Sequence, residues 1–201
     1  MTPLDAGVIA VIRLDRRLPA PLAHALVEGG IPVLELTLTT PGALDSIAEL
    51  VASLPACLIG AGSVLDASQA GAAIGAGARF CVGPAFDAGA SALCAERAIP
   101  YIPGAFTPTE LLQAHRSGAS AIKLFPARVL GPAGLRELLA PLPFLKLVPS
   151  GGVTLANAGD WLRAGAAAVS VGSALLDRAD LSPESLTERA RALVAAVQGA
   201  R

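Results

Sequence analysis

Apolar and polar positions change rhythm along this chain at regular intervals. Short aliphatic runs alternate with Ala- and Leu-rich stretches of helical period. The runs are VIAVIR (8–13), VLELTL (33–38), CLIGAGS (57–63), FCVGP (80–84), YIPGAF (101–106), AIKLFP (121–126), FLKLVPSGG (144–152) and AVSVGSAL (168–175). They begin roughly 20–25 residues apart, about what one strand, one helix and two short connections need. Eight such units predict an α/β fold, a (β/α)₈ TIM barrel, with residues 1–201 forming one domain. The alternative is a doubly wound open sheet. That fold usually has fewer strands and a Gly-rich first turn, and no GxGxxG follows the first run here.

The helical stretches carry end signals. HALVEGGI, AAIGAGARF and WLRAGAAAV each place glycine near a helix C-terminus, just before the next strand. TPTELLQAH offers Thr107 as N-cap, Pro108 at the first helical position and Glu110 three residues after the cap, a capping box. SPESLTERARALVAAV (182–197) predicts a closing eighth helix.

Within a barrel strand, side chains point alternately inward and toward the helices. In the second run Leu34, Leu36 and Leu38 form the helix-facing set, so Val33, Glu35, Thr37 and Thr39 point inward. In the sixth, Ile122 and Leu124 face the helices, so Lys123 and Phe125 point inward. In the first, Ile9, Val11 and Arg13 share one face and Val8, Ala10 and Ile12 the other.

Composition narrows the function classes. A chain of 201 residues that is 53% hydrophobic and 15% charged forms a full core and is not disordered. Its net charge of −1, with no basic stripe, argues against nucleic acid and membrane surfaces as partners. No apolar run approaches the ~20 residues of a membrane span. The N-terminus MTPLDAGVIAVIRL lacks a basic leader region, so no signal peptide is read and a cytoplasmic location is expected. Cys57, Cys81 and Cys94 share no CxxC spacing and read as buried thiols. His24 and His115 lie far apart in helical patterns, so no metal site is expected.

The chain has thirteen arginines but only two lysines, Lys123 and Lys146, and both fall in strand-like apolar runs. Burying an ammonium is costly, so such a lysine needs an explanation. Apolar surroundings disfavour the charged form, and a neutral amine can attack a carbonyl. Lys123 is the stronger candidate, because Lys146 falls early in its strand, away from the reactive C-terminal rim. Glu35 is the one acidic residue inside a predicted strand and reads as a proton-transfer carboxylate; a purely structural pair with Lys123 is the plainer reading.

The segments Ser150-Gly151-Gly152 and Gly172-Ser173 end the seventh and eighth strands, where barrels commonly bind phosphate through backbone N–H groups; each pair alone also suits a plain tight turn, and together they favour phosphate. Gly60-Ala61-Gly62-Ser63 and Gly83-Pro84 place small residues at the ends of strands three and four. They leave room for a ligand or simply fill a crowded barrel end. The Ser63 hydroxyl is a candidate donor to a carboxylate.

Taken together, VIAVIR, EGGIPVLELTLTTP, IGAGSVLD, FCVGPAF, YIPGAFTPTEL, AIKLFPARVLGP and VPSGGVTLANAGDWLRAGAAAVSVGSALL resemble the 2-keto-3-deoxy-6-phosphogluconate (KDPG) and 4-hydroxy-2-oxoglutarate (KHG) aldolase family across nearly the whole chain. The resemblance implies a class I aldolase without cofactor or metal, usually a homotrimer, acting on a phosphorylated 2-keto-3-deoxy sugar acid to give pyruvate in Entner–Doudoroff carbohydrate metabolism. By position it implies Lys123 as the Schiff-base lysine, Glu35 as general acid/base and Phe125 as the aromatic beside the lysine. Ser63 and Ser150 stand where the family commonly has threonine, and Gly151, Gly152, Gly172 and Ser173 match the phosphate-binding turns. Many members carry arginine at the position of Thr39 to hold the substrate carboxylate; members with threonine there tend to have arginine at the end of strand one, as Arg13 is here. Pro84 is expected at the substrate rim. The alternatives are a 2-keto-3-deoxy-6-phosphogalactonate aldolase, a phosphate-binding barrel synthase or isomerase without a covalent lysine, and a non-catalytic sugar-phosphate binding protein.

Overall fold

The computed structural model describes residues 2–177 and 179–200. Strands and helices alternate as expected. The strands are β1 (Val8–Ile12), β2 (Val33–Thr37), β3 (Leu58–Gly62), β4 (Cys81–Val82), β5 (Tyr101–Ile102), β6 (Gly104–Ala105), β7 (Ile122–Leu124), β8 (Leu147–Pro149) and β9 (Val169–Val171). The α-helices are α1 (Ala20–Glu28), α2 (Ala43–Ser53), α3 (Ala67–Gly75), α4 (Ala88–Glu96), α5 (Pro108–Arg116), α6 (Gly131–Leu139), α7 (Ala158–Arg163) and α8 (Pro183–Gln198).

All strand pairs are parallel. They form one arc in the order β5-β4-β3-β2-β1-β9 and another in the order β6-β7-β8. Pro103 separates β5 from β6 within one predicted run. It has no N–H to donate to the ladder, but its carbonyl accepts from the Lys123 N–H at 2.9 Å. On the other side the arcs join through the Ser150–Ser170 bridge and the Ala167 N–H, which donates to the Leu147 carbonyl at 2.9 Å. With β5 and β6 counted as one interrupted strand, this is the (β/α)₈ TIM barrel.

The alternation of side chains holds. Val8, Ala10, Ile12, Leu34, Leu36, Ile122 and Leu124 belong to the core between sheet and helices. Ile9, Val33, Leu58, Phe80, Ala121, Val148 and Ala168 fill the lumen as a separate apolar cluster. Each fully buried aliphatic contributes about 1.5–3 kcal/mol, so two concentric apolar layers hold the strands in register. The lumen cluster also forms a floor that closes the barrel below the functional end.

Helix ends follow their sequence signals. After α1, α3 and α7, Gly30, Gly77 and Gly165 take φ of 92°, 97° and 103°. In each case the next residue's N–H reaches back to the last turn: Ile31 to Leu26, Ala78 to Ala73 and Ala166 to Trp161, all at 3.0 Å. This is the Schellman closure, and it turns the chain sharply into the next strand. The three cysteines are buried free thiols.

Two expectations are corrected. The second strand ends at Thr37, so Thr39 lies on an exposed turn instead of continuing the inward face. The seventh run starts later than its apolar pattern suggests. Phe144 and Lys146 are exposed ahead of β8, with the Phe144 ring against His115 at 4.9 Å between centroids.

The capping box of α5 is complete. Thr107 accepts from the Glu110 N–H, and Glu110 accepts from the Thr107 and Phe106 N–H groups at 2.8 and 2.9 Å. Those backbone donors hold the Glu110 carboxyl below its usual range. Thr107→Ala is expected to lower unfolding free energy by about 1 kcal/mol, read from urea unfolding; an unchanged midpoint would show that the cap carries none of the helix's stability.

Candidate active site

The C-terminal ends of the strands surround a cleft of about 580 Å³. Its lining includes Arg13, Lys123, Phe125, Ser150, Gly151, Gly152, Gly172 and Ser173. These residues come from the ends of β1, β7, β8 and β9, brought together by ring closure.

At its base lies a buried ion pair. Lys123 is 5% exposed on β7 and Glu35 is 1% exposed on β2. The Lys123 ammonium donates to Glu35 Oε1 at 3.4 Å, across the lumen and not between neighbouring strands. Its Nζ also lies 5.5 Å from the centroid of the Phe125 ring, where the electron-rich face favours a cation. Glu35 Oε2 is buried and, among the described residues, has no hydrogen-bond partner. A buried carboxylate oxygen without a partner has capacity for one further proton or donor.

The third strand explains the position of Glu35. Glu35 pairs in register with Gly60, and Thr37 with Gly62. A methyl at Gly62 would collide with Glu35 Oε1 and lie 2.7 and 2.8 Å from its Cγ and Cδ. A methyl at Gly60 would collide with the Phe80 ring. The small residues of β3 therefore make room for protein: a catalytic-end carboxylate and a floor aromatic. Of the two readings of Gly60 and Gly62, ligand room or a crowded barrel end, the second holds.

At the end of β1, Arg13 donates from Nη2 to Ser63 Oγ at 3.4 Å. Ser63 holds a left-handed φ of 60°, costly for a non-glycine residue, which aims its hydroxyl at the rim. Thr39 sits apart in a neighbouring depression with Leu38 and Pro41. Its hydroxyl shares a hydrogen bond with Thr37 at 3.1 Å. Thr37 in turn bonds to Thr40 at 3.2 Å, and Thr40 accepts from the Leu14 N–H at 3.2 Å. This hydroxyl chain ties the end of β2 to the end of β1. Pro84 follows β4 and packs its carbonyl against Gly104, outside the lining of the cleft. Beside it the Tyr101 hydroxyl donates to the Ala85 carbonyl at 3.2 Å, and burial pushes its phenol up to about 12.

The opposite wall is built from backbone. Gly151 and Gly152 take φ of 82° and 93°. Among the described residues no acceptor takes the N–H groups of Gly151, Gly152, Gly172 or Ser173. Asn157 fixes the loop by donating to the Gly152 carbonyl at 3.0 Å and accepting from the Thr154 N–H at 2.8 Å. Unpaired N–H groups held in a glycine turn form a concave site for an anion.

Three polar lining residues, Ser170, Arg128 and Asp177, escaped the sequence reading. Ser170 on β9 is 3% exposed, and its hydroxyl has no partner among the described residues. The alternation of AVSVGS points it inward, so the signal was there. Arg128 follows β7 on a 3₁₀ turn (Ala127–Val129), where no periodicity announces which side chain meets the cleft.

A parallel barrel whose polar cleft sits on the C-terminal rim is the architecture of a barrel enzyme. Comparison with known proteins specifies which kind. The family model "KDPG and KHG aldolase" matches residues 4–191. The probable 2-dehydro-3-deoxy-6-phosphogalactonate aldolase of Rhizobium meliloti is 36% identical over 98% of this chain and 93% of its own length. The 2-dehydro-3-deoxy-phosphogluconate aldolase of Pseudomonas aeruginosa is 39% identical over 79% of this chain and 73% of its own. Among solved structures, the KDPG aldolase of Legionella pneumophila superposes with a TM-score of 0.87 at 31% identity, over 96% of this chain and 98% of that one. That protein was solved with pyruvate captured at low pH as a covalent carbinolamine intermediate. The chain belongs to the KDPG and KHG aldolase family, and is an aldolase of the lyase class.

The packing of Gly62 on Glu35 gives a direct test of this geometry. Gly62→Ala is expected to cost about 1–3 kcal/mol through overpacking, whereas Gly75→Ala, with nothing within 4 Å of the added methyl, should be neutral or stabilising by up to ~1 kcal/mol. Chemical denaturation of both variants measures the difference; equal midpoints would contradict the placement of the carboxylate against β3.

Proposed function

We propose that this enzyme reversibly cleaves 2-keto-3-deoxy-6-phosphogluconate to pyruvate and glyceraldehyde 3-phosphate through a Schiff base on Lys123. The observation that carries this reading is the buried Lys123–Glu35 pair at the base of the cleft, 3.4 Å apart. Lys146, the other lysine, is exposed and precedes β8 at the opposite end of the strand.

In this mechanism the neutral Lys123 amine adds to the C2 carbonyl, and the carbinolamine loses water to give an iminium. Glu35 takes the proton of the C4 hydroxyl. The electrons of the breaking C3–C4 bond flow into the iminium, which becomes an enamine as the aldehyde departs. Protonated Glu35 returns its proton to C3, and water hydrolyses the new iminium to release pyruvate and the free amine. A carboxylate that bonds the lysine with one oxygen and leaves the other open suits this two-way proton traffic.

Arg13 grips the substrate carboxylate, with Ser63 orienting the guanidinium and Thr39 and Pro84 shaping the adjoining rim. Phe125 lies against the lysine. Ser150, Gly151, Gly152, Gly172 and Ser173 hold the phosphate through hydroxyls and free N–H groups, which fixes C2 in reach of Lys123. The whole chain acts as one barrel domain and, as the family resemblance implies, as a cytoplasmic homotrimer that needs no cofactor. The C4 epimer, 2-keto-3-deoxy-6-phosphogalactonate, is a second reading favoured by the full-length match to the Rhizobium meliloti relative.

Pyruvate release, followed through a coupled lactate dehydrogenase assay, tests the reading on both epimers. The wild type is expected to turn over at least one. Glu35→Gln keeps the size and removes the proton acceptor, and should lower kcat by about 10²–10⁴-fold. No pyruvate from either epimer would end the aldolase assignment for these substrates. Wild-type turnover by Glu35→Gln would reduce Glu35 to a structural partner of Lys123.

A further inference from the structure

The distal wall of the cleft presents N–H groups and hydroxyls, but a phosphate also carries charge. Arg13 turns its guanidinium toward Ser63 at the end of β3, and Lys123 lies at the base. Asp177 lines the same cleft, and its negative charge opposes an anion there. Uncharged donors facing a carboxylate make a poor seat for a dianion unless a cation stands beside them.

Arg128 stands in that position. Its backbone N–H donates to the Gly151 carbonyl at 2.8 Å, and the preceding Ala127 N–H donates to the Ser150 carbonyl at 2.8 Å. These two bonds bind the turn after β7 onto the glycine turn after β8. A methyl at Gly152 would lie 2.5 Å from the Arg128 Cβ and 3.2 Å from its Cα. The arginine side chain is therefore rooted directly on the turn that offers the free N–H groups. It is exposed at the mouth and lines the cleft. Among the described residues, no acceptor takes a hydrogen bond from its guanidinium and no carboxylate pairs with it. By contrast, Arg17, Arg163 and Arg191 are engaged with Glu49, Asp160 and Glu28.

We propose that Arg128 is a specificity-determining residue of this enzyme: its guanidinium clamps the phosphate at the far end of the substrate and so selects phosphorylated over unphosphorylated 2-keto-3-deoxy sugar acids. The proposal rests on the aldolase reading above and adds a charged contact to a site otherwise made of backbone N–H groups and hydroxyls. A planar guanidinium offers paired N–H donors that match two phosphate oxygens, and it offsets Asp177 at the same time. The contact lies away from the reacting carbons, so it acts on binding and not on the chemical steps.

Steady-state cleavage of 2-keto-3-deoxy-6-phosphogluconate and of unphosphorylated 2-keto-3-deoxygluconate by wild type, Arg128→Ala and Arg128→Lys tests this. Arg128→Ala should raise KM for the phosphorylated substrate by about tenfold or more, with kcat nearly unchanged and KM for the unphosphorylated substrate within about twofold. Arg128→Lys should recover part of the loss, since it keeps the charge without the fork. An unchanged KM for the phosphorylated substrate, or an equal rise for both substrates, would overturn the proposal. A second measurement does not depend on turnover: inorganic phosphate should raise the Tm of the wild type and fail to raise that of Arg128→Ala. If the wild type cleaves neither substrate, the gluconate reading fails; the phosphate-dependent Tm then still decides Arg128, and equal shifts in both proteins would overturn its role.

Discussion

The structure depends on one constraint: a lysine and a glutamate must meet inside a barrel whose floor is apolar. Removing two ions from water costs several kcal/mol each, and their mutual attraction offsets this only at close range. Glu35 and Lys123 sit on strands that are not neighbours, so only closure of the sheet brings them within 3.4 Å. Closure in turn depends on the apolar lumen below them, where Ile9, Val33, Phe80 and Val148 pack. It also depends on Gly62, whose bare Cα leaves space for the carboxylate. A buried ion pair is a weak contributor to stability, and replacing such pairs with apolar residues is often neutral or stabilising. Its retention here fits the proposed chemistry: the lysine reaches the cleft, and the carboxylate keeps one buried oxygen without a partner among the described residues.

In the proposed mechanism the remaining parts of the cleft set the substrate relative to that pair. At one end a guanidinium is aimed by Ser63, itself held in a left-handed conformation. At the other, glycine turns present N–H groups that nothing among the described residues consumes. Rigid strands fix the reacting groups, while loops carry the recognition of charge. This division lets a short chain with little slack between its elements support a covalent reaction. The two apolar layers define the strand ends, and the strand ends define every distance in the site.

Much of this was legible in the amino-acid sequence, for a physical reason. Strict alternation along β2 and β7 puts Leu34, Leu36, Ile122 and Leu124 against the helices, which leaves Glu35 and Lys123 no direction but inward. Glycine after a helical stretch marks the left-handed closures at Gly30, Gly77 and Gly165. Legibility fades where period-two alternation stops. Thr39 lies beyond the last paired residue of β2, so extending the pattern to it points it the wrong way. Lys146 sits in an apolar run yet precedes its strand and stays in water. The glycines of β3 are readable as small, but what fills the space beside them, Phe80 and Glu35, is a property of the closed sheet. Arg128 belongs to a turn whose contacts come from an element more than twenty residues later, and local pattern carries no such information.

The most direct measurement on the central claim is reductive trapping. The enzyme is incubated with pyruvate and borohydride, digested, and its peptides are mapped by mass. With two lysines in the chain, the outcome is unambiguous. Schiff-base formation on Lys123 predicts a stable adduct on the peptide that carries it, with irreversible loss of activity. An adduct on Lys146, or full activity with no adduct, would contradict it.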